Sequence, residues 1–232
     1  MKLFERLNED VRFREGLKAC MNCGVCTAIC PAAEFFDYDP RVLMDVVDSG
    51  DNNEIESLLK SDAIWYCGQC MSCKTRCPRG NVPGMVVNAL RKLSQELGYF
   101  TESRLGRQQY VIVKTVGQNI LDFGYCVHPS RIHPDDHPEQ GPVWKWVFEN
   151  RDEVYGKLGF NLNSEGPGGL RKISDKTLNE LKSIFDVTGA TKFLESIETH
   201  CLDYAVQNGQ LPAAGNKEDY FRKIYEGEGG LE

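Results

Sequence analysis

The sequence predicts a mainly α-helical protein in two parts, and three observations carry that reading. Helix start and stop signals bracket apolar residues at three- and four-residue spacing through the first hundred residues. A cysteine run recurs there as an internal repeat, which sets the architecture of that half. From about Thr101 cysteines thin out and Gly, Pro and Asn become frequent, so residues 101–232 read as an irregular and helical C-terminal extension.

The elements follow in order. Phe4, Leu7 and Val11 lie at i, i+3, i+7 and predict one amphipathic helix before the first cysteine. Asp39 is an N-cap, Pro40 an N1 proline and Gly50 a stop, bracketing a helix with Val42, Leu43, Val46 and Val47. A short helix runs through Ile55, Leu58 and Leu59. Pro83 starts and Gly98 ends another, with the stripe Val86, Ala89, Leu90, Leu93 and Leu97. In the second part, Tyr110 to Val113 fits either a strand or a helix. Ser174 caps a helix through Leu178, Leu181 and Phe185. A last one carries Phe193, Leu194, Ile197, Cys201 and Tyr204 and stops near Gly209, and the terminal GEGGLE has little to pack.

Composition narrows the function. With 41% hydrophobic residues the 232-residue chain can build a packed core. A net charge of -7 argues against nucleic acid, whose backbone wants a basic face. No apolar run has the length of a signal peptide or a membrane span, so the expectation is a cytoplasmic protein with reduced thiols and no direct membrane insertion.

Eight of the ten cysteines fall into two copies of C-x2-C-x2-C-x3-C-P: Cys20, Cys23, Cys26 and Cys30, then Cys67, Cys70, Cys73 and Cys77. This run is the bacterial ferredoxin pattern for [4Fe-4S] clusters, in which the fourth cysteine ligates the other cluster. Applied here, that rule gives two [4Fe-4S] clusters. Cluster one takes Cys20, Cys23, Cys26 and Cys77, and cluster two takes Cys67, Cys70, Cys73 and Cys30. Zinc prefers two separated C-x2-C pairs, disulfides need an oxidising compartment, and a thiol-redox pair needs a βαβ setting; none fits the duplicated spacing. Lys74, Arg76 and Arg79, with no acid between Cys67 and Arg79, predict the higher potential for cluster two. The competing reading makes them solvated surface charges or contacts to an acidic partner.

These motifs, the Asp39-Pro40-Arg41 helix start, the phrase Leu58-Leu59-Lys60-Ser61-Asp62-Ala63-Ile64-Trp65-Tyr66-Cys67 and the ending Cys77-Pro78-Arg79-Gly80 resemble the C-subunit family of heterodisulfide reductase. The resemblance covers roughly residues 10–98 and implies an α-helical ferredoxin domain over 1–100, with 101–232 as an extension for subunit docking. It also implies a non-catalytic electron-transfer subunit, passing electrons between a flavin subunit and a catalytic subunit with CCG motifs. This chain has no Cys-Cys pair, which puts disulfide chemistry on a partner. The related module in succinate and glycerol-3-phosphate dehydrogenases keeps a respiratory iron-sulfur subunit as the alternative, beside a scaffold with structural clusters. The extended tail is similar to that of heterodisulfide reductase-like complexes of sulfur oxidisers, which implies sulfane-sulfur oxidation on a lipoate-type carrier protein.

In the tail, Cys126, His128, His133, Asp136 and His137 are close in sequence but match no standard metal spacing, and a proline-stiffened docking loop is the better reading. Trp144 and Trp146 serve either an interface or this chain's own core. Cys201 lies on an apolar stripe as a small hydrophobe.

Overall fold

The computed structural model describes residues 2–135, 140–210 and 217–225. Every regular element among them is helical. They divide into two compact units, residues 1–107 and 108–232.

The first unit contains α1 (Leu3–Glu9), α2 (Val11–Gly16), α3 (Val25–Ala28), α4 (Ala32–Phe35), α5 (Pro40–Ser49), α6 (Asn52–Lys60), α7 (Pro83–Leu97) and α8 (Arg104–Arg107). The single helix expected before the first motif is two. The chain breaks at Asp10, whose carboxylate accepts the Arg12 N–H at 2.8 Å and caps α2. The break re-aims the apolar stripe: Val11 is 58% exposed and Phe13 takes the core position. Asp39, Pro40 and Gly50 cap, start and stop α5, with Gly50 left-handed at φ 71°. Within α5 the buried residues are Leu43, Met44 and Val47 in addition to Pro40, while Val42 is exposed.

The spine is α7, from Pro83 to the left-handed Gly98, and it packs against α1, α2, α5 and α6. Val86, Val87, Ala89, Leu90 and Leu93 join Leu7, Phe13, Leu43, Met44, Val47, Ile55, Leu59 and Ile64 in one core. Burying a side chain of this size contributes about 1.5–3 kcal/mol. The unit runs past residue 100 because a short 3-10 turn (Tyr99–Glu102) and α8 fold back onto it. The Asp62 carboxylate accepts the Ser103 hydroxyl and the Leu105 N–H. At Gly106 a Cβ would lie 2.2 Å from the Phe100 carbonyl, so only glycine allows that approach.

The second unit contains α9 (Gln109–Ile112), a π-helical turn (Val113–Gly117), α10 (Gln118–Phe123), α11 (Gly141–Glu149), α12 (Arg151–Lys157), α13 (Asp175–Thr188), α14 (Ala190–Gln207) and α15 (Lys217–Tyr225). Tyr110 to Val113 is thus helical. Ser174 accepts the Thr177 N–H and caps α13. Ile197, Cys201 and Ala205 are buried on α14, and Tyr110 packs on Tyr220 with ring centroids 5.6 Å apart. The terminal GEGGLE lies outside the described residues.

Candidate iron-sulfur centre

The two cysteine runs fold alike. In each, the residue before the second cysteine is left-handed, Asn22 at φ 54° and Gln69 at φ 54°. The residue after it is left-handed too, Gly24 at φ 75° and Met71 at φ 59°. Two such reversals flanking one cysteine curl the backbone so that the first three cysteines of a run face a common point. Non-glycine residues enter this region at a cost of about 1–2 kcal/mol each, so the second loop stores strain that the first avoids at Gly24.

Each loop faces a cavity. Cys20, Cys23, Cys26 and Cys77 line one, with about 360 Å³ of atom-free space, beside Arg41, Arg79, Asn81 and Pro83. Cys30, Cys67, Cys70 and Cys73 line the other, with about 380 Å³, beside Tyr38, Pro40 and Gly84. Three cysteines of one run and the last cysteine of the other therefore line each cavity. All-sulfur donor sets around a pocket are what a [4Fe-4S] core requires, since its four irons each take one thiolate. Among the described residues no three His, Cys, Asp or Glu side chains converge tightly enough for a single metal ion.

The crossing has identifiable causes. The Val82 N–H donates to the Gly16 carbonyl at 2.8 Å, and the Lys18 N–H to the buried Asn81 side-chain oxygen at 2.5 Å. Arg79 Nε donates to the Ala19 carbonyl at 3.4 Å. These three links stitch the end of the second run to the start of the first. Asn81 also donates its own N–H to Cys77 Sγ at 3.3 Å. On the other side, Phe36 stacks on Tyr66 with centroids 4.6 Å apart, drawing the segment after Cys30 toward the segment before Cys67.

Asp39 is a hub of the first loop. It accepts the Arg41 N–H at 2.8 Å, the Arg41 guanidinium at 3.0 Å and the Thr27 hydroxyl. Arg41 in turn donates to Asn22 at 2.8 Å, holding the left-handed turn. Burial alone would raise the Asp39 carboxyl, but the bonds from Thr27 and Arg41 hold it below the ordinary carboxylate range. At the second loop, Arg91 donates to the carbonyls of Ile64, Trp65 and Cys67 at 2.7, 2.9 and 2.7 Å. Tyr38 is buried and lines the second cavity together with Cys67. Burial first, and then the charge of Cys67, push the phenol well above its usual range.

The matching cysteines share environments. Cys23 and Cys70 are exposed and the other six are half-buried. Burial pushes the thiols of Cys26 and Cys73 up, so metal binding must displace a tightly held proton there. Cys70 lies 3.4 Å from the Ser72 hydroxyl, and that contact lowers it.

The charges of the second run fall differently from their order in sequence. Lys74 and Arg76 are exposed, and Arg79 lines the first cavity. The grouping expected to favour reduction at cluster two is therefore divided between solvent and the other site. Sequence reasoning also passed over Tyr38, Asn81 and Arg91. For Arg91 there was a signal: Val87 widens the apolar stripe of α7, and Arg91 follows it at i+4 on the buried side.

Among the described residues the tail forms no cluster of three metal-ligating side chains. His128 is buried, stacks on Phe123 at 4.1 Å and accepts the Ser130 N–H, and burial lowers its pKa. Cys126 and His133 are exposed, and Asp136 and His137 lie outside the described residues. Trp144 Nε1 donates to the Ile132 carbonyl at 2.9 Å, whereas Trp146 is 58% exposed.

Residues 16–81 match the family described as a 4Fe-4S dicluster domain, so the protein carries two [4Fe-4S] clusters. The chain is 41% identical over 196 residues to the C subunit of the ferredoxin:CoB-CoM heterodisulfide reductase of Methanosarcina acetivorans, covering 81% of this chain and 69% of that one. It is 32% identical over 178 residues to the C 2 iron-sulfur subunit of the CoB-CoM heterodisulfide reductase of Methanocaldococcus jannaschii, covering 77% and 76%. A match to the corresponding iron-sulfur C subunit of Methanopyrus kandleri is 33% identical over 96 residues, covering 41% and 48%. The first two alignments are longer than the first unit and so extend into the second.

Proposed function

This chain belongs to the C-subunit family of heterodisulfide reductase, and we propose that its eight motif cysteines hold an electron path between a flavin subunit and a CCG-motif catalytic subunit. Bound clusters supply two one-electron carriers. In this reading Cys20, Cys23, Cys26 and Cys77 hold cluster one and Cys67, Cys70, Cys73 and Cys30 hold cluster two. The observation that carries it is the sorting of the cysteines around two cavities, three from one run and one from the other at each. The exposure of Cys23 and Cys70 gives each carrier a side open to a partner. A scaffold with a structural cluster would need only one site and gain nothing from the second.

The second unit, residues 108–232, is the docking extension in this reading. It leaves Val143, Trp146, Leu158, Ile184 and Val187 exposed, a load of apolar surface that interfaces use. Among the described residues no helix is long and apolar enough to cross a membrane. Any membrane contact falls to the partners in this reading.

The test is anaerobic purification from the native host, followed by dithionite reduction and EPR. Two reducible signals and co-purifying flavin and CCG subunits are expected. The absence of any reducible cluster at accessible potentials would overturn conduction. The partners also give the direction of the chemistry: a heterodisulfide substrate means reduction, and a lipoate-type carrier means oxidation of sulfane sulfur. Deleting residues 127–147 should abolish capture of the partner subunits if the extension docks them.

A further inference from the structure

The two cavities differ in how charge surrounds them. Arg41, at the first, is neutralised by Asp39 at 3.0 Å and Asp45 at 3.8 Å, and Arg79 is exposed and screened by water. At the second, Arg91 is half-buried and turns to the carbonyls of Ile64, Trp65 and Cys67, with the Trp65 ring over it at 5.4 Å. Among the described residues no carboxylate pairs with it. A guanidinium drawn partly out of water toward neutral acceptors retains its full charge and is costly unless an anion lies near. The ligand nearest to it is Cys67, whose carbonyl it binds and whose thiolate would carry the cluster's charge.

Four thiolates around an oxidised cubane leave a net charge of about -2, and reduction adds one more negative charge. A fixed cation behind one thiolate and a buried hydroxyl on the wall of the same cavity both stabilise the reduced form more than the oxidised form. We propose that Arg91 and Tyr38 set the potential of the cluster held by Cys67, Cys70, Cys73 and Cys30 above that of the other. Arg91 supplies the counter-charge through the Cys67 backbone, and Tyr38 supplies a buried hydroxyl on the wall of the same cavity. The proposal rests on the ligand assignment made above and adds the residues that separate the two carriers energetically. The electron then rests on the second cluster, and the order of the path is built into α7 and the segment before α5.

The experiment is a redox titration of the two-cluster protein followed by EPR, on the wild type and on Cys67→Ser, Arg91→Gln, Arg91→Lys and Tyr38→Phe. Cys67→Ser should remove the higher-potential signal, which identifies it. Arg91→Gln should lower that midpoint by a factor of about ten in the reduced-to-oxidised ratio, or 59 mV for a one-electron couple, while the other midpoint stays put. Arg91→Lys keeps the charge and should recover most of the shift. Tyr38→Phe keeps the ring packing, loses only the hydroxyl and should shift the same midpoint about threefold in the same direction. An unchanged midpoint in Arg91→Gln overturns the proposal; if that variant loses the cluster, an unchanged midpoint in Tyr38→Phe does so. If Cys67→Ser leaves both signals intact, the ligand assignment itself fails, and the tuning proposal falls with it.

Discussion

The two cysteine loops are the same sentence written in two contexts. Their spacing, their paired left-handed residues and their pattern of exposed and half-buried cysteines coincide position by position. Their supports do not. The first loop is held by side chains around a carboxylate: Asp39 binds Thr27 and Arg41, and Arg41 binds Asn22. The second is held by a cation on backbone carbonyls, by the Tyr38 ring against Tyr66, and by Met71 packed where Gly84 leaves room. A duplicated spacing dictates how sulfurs converge and says nothing about the medium around them. One repeated motif can thus yield two carriers that are geometrically alike and electrically unlike.

The largest test of this comparison is whether the loops are independent. They should not be, because each cavity takes its fourth sulfur from the other run. Cys30→Ser should lose the cluster of Cys67, Cys70 and Cys73 and keep the other, and Cys77→Ser should do the reverse, each with about half the iron and sulfide of the wild type. Metal analysis with EPR reads both. If each variant instead loses the cluster of its own run, the crossing is broken.

A second test asks whether the supports are separate. Asp39→Ala removes the α5 cap and the anchor of Arg41 together, and should cost about 2 kcal/mol. Anaerobic chemical unfolding measures the cost. The EPR signal of the first cluster should broaden while that of the second stays as in the wild type, since the hydrogen bonds of Asp39 go to Thr27, Arg41 and Val42 and not to the second loop. Equal disturbance of both signals would mean that the two supports act as one.

How far the sequence reached follows the same division. Caps, prolines and glycines announce helix ends locally, so Asp39, Pro40, Gly50, Pro83, Gly98 and Ser174 were legible one residue at a time. The break at Asp10 was not. There the choice between one helix and two depends on whether Val11 or Phe13 reaches the core, and α7 decides that from far along the chain. In the same way the cysteine spacing was legible because a cluster imposes it, while the ends of the charged side chains were not. Arg79 follows the second run in sequence and lines the first cavity, because its reach is set by the crossing itself. The α7 spine brings Arg91 to Cys67 across 24 residues of chain, a proximity that no local pattern encodes.

The strain comparison yields a smaller effect. At Gly24 a Cβ would meet only Arg41 Cδ at 3.9 Å, so Gly24→Ala pays for the left-handed backbone and nothing else, about 1 kcal/mol. Met71→Gly relieves a similar strain at the equivalent position but forfeits the contact with Gly84, and should fall within about 0.5 kcal/mol of the wild type. Thermal unfolding of the pair of variants checks both. A large gain from Met71→Gly would show that the second loop is strained without compensation.

The smallest expected effect lies on the approach to the first loop. Asp10 is held at about 2 by the Arg12 side chain foremost, against the opposing push of burial, with the Arg12 backbone and Lys92 adding to the lowering. Its folded value lies below the unfolded value of about 4, so its charge stabilises the fold wherever the unfolded carboxylate is ionised, and the benefit is lost only as pH falls from about 4 toward 2. Asp10→Asn keeps a good cap and removes the charge. Because Arg12 is partly solvated, the loss should be about 1 kcal/mol, a drop of roughly 2–4 °C in unfolding midpoint. The difference between variant and wild type should be the same at pH 8 and pH 5, where the clusters survive and both carboxylates remain charged. A difference close to zero throughout that interval would place the folded pKa of Asp10 near its ordinary value, and the ionic support would then begin at Asp39 and not one helix earlier.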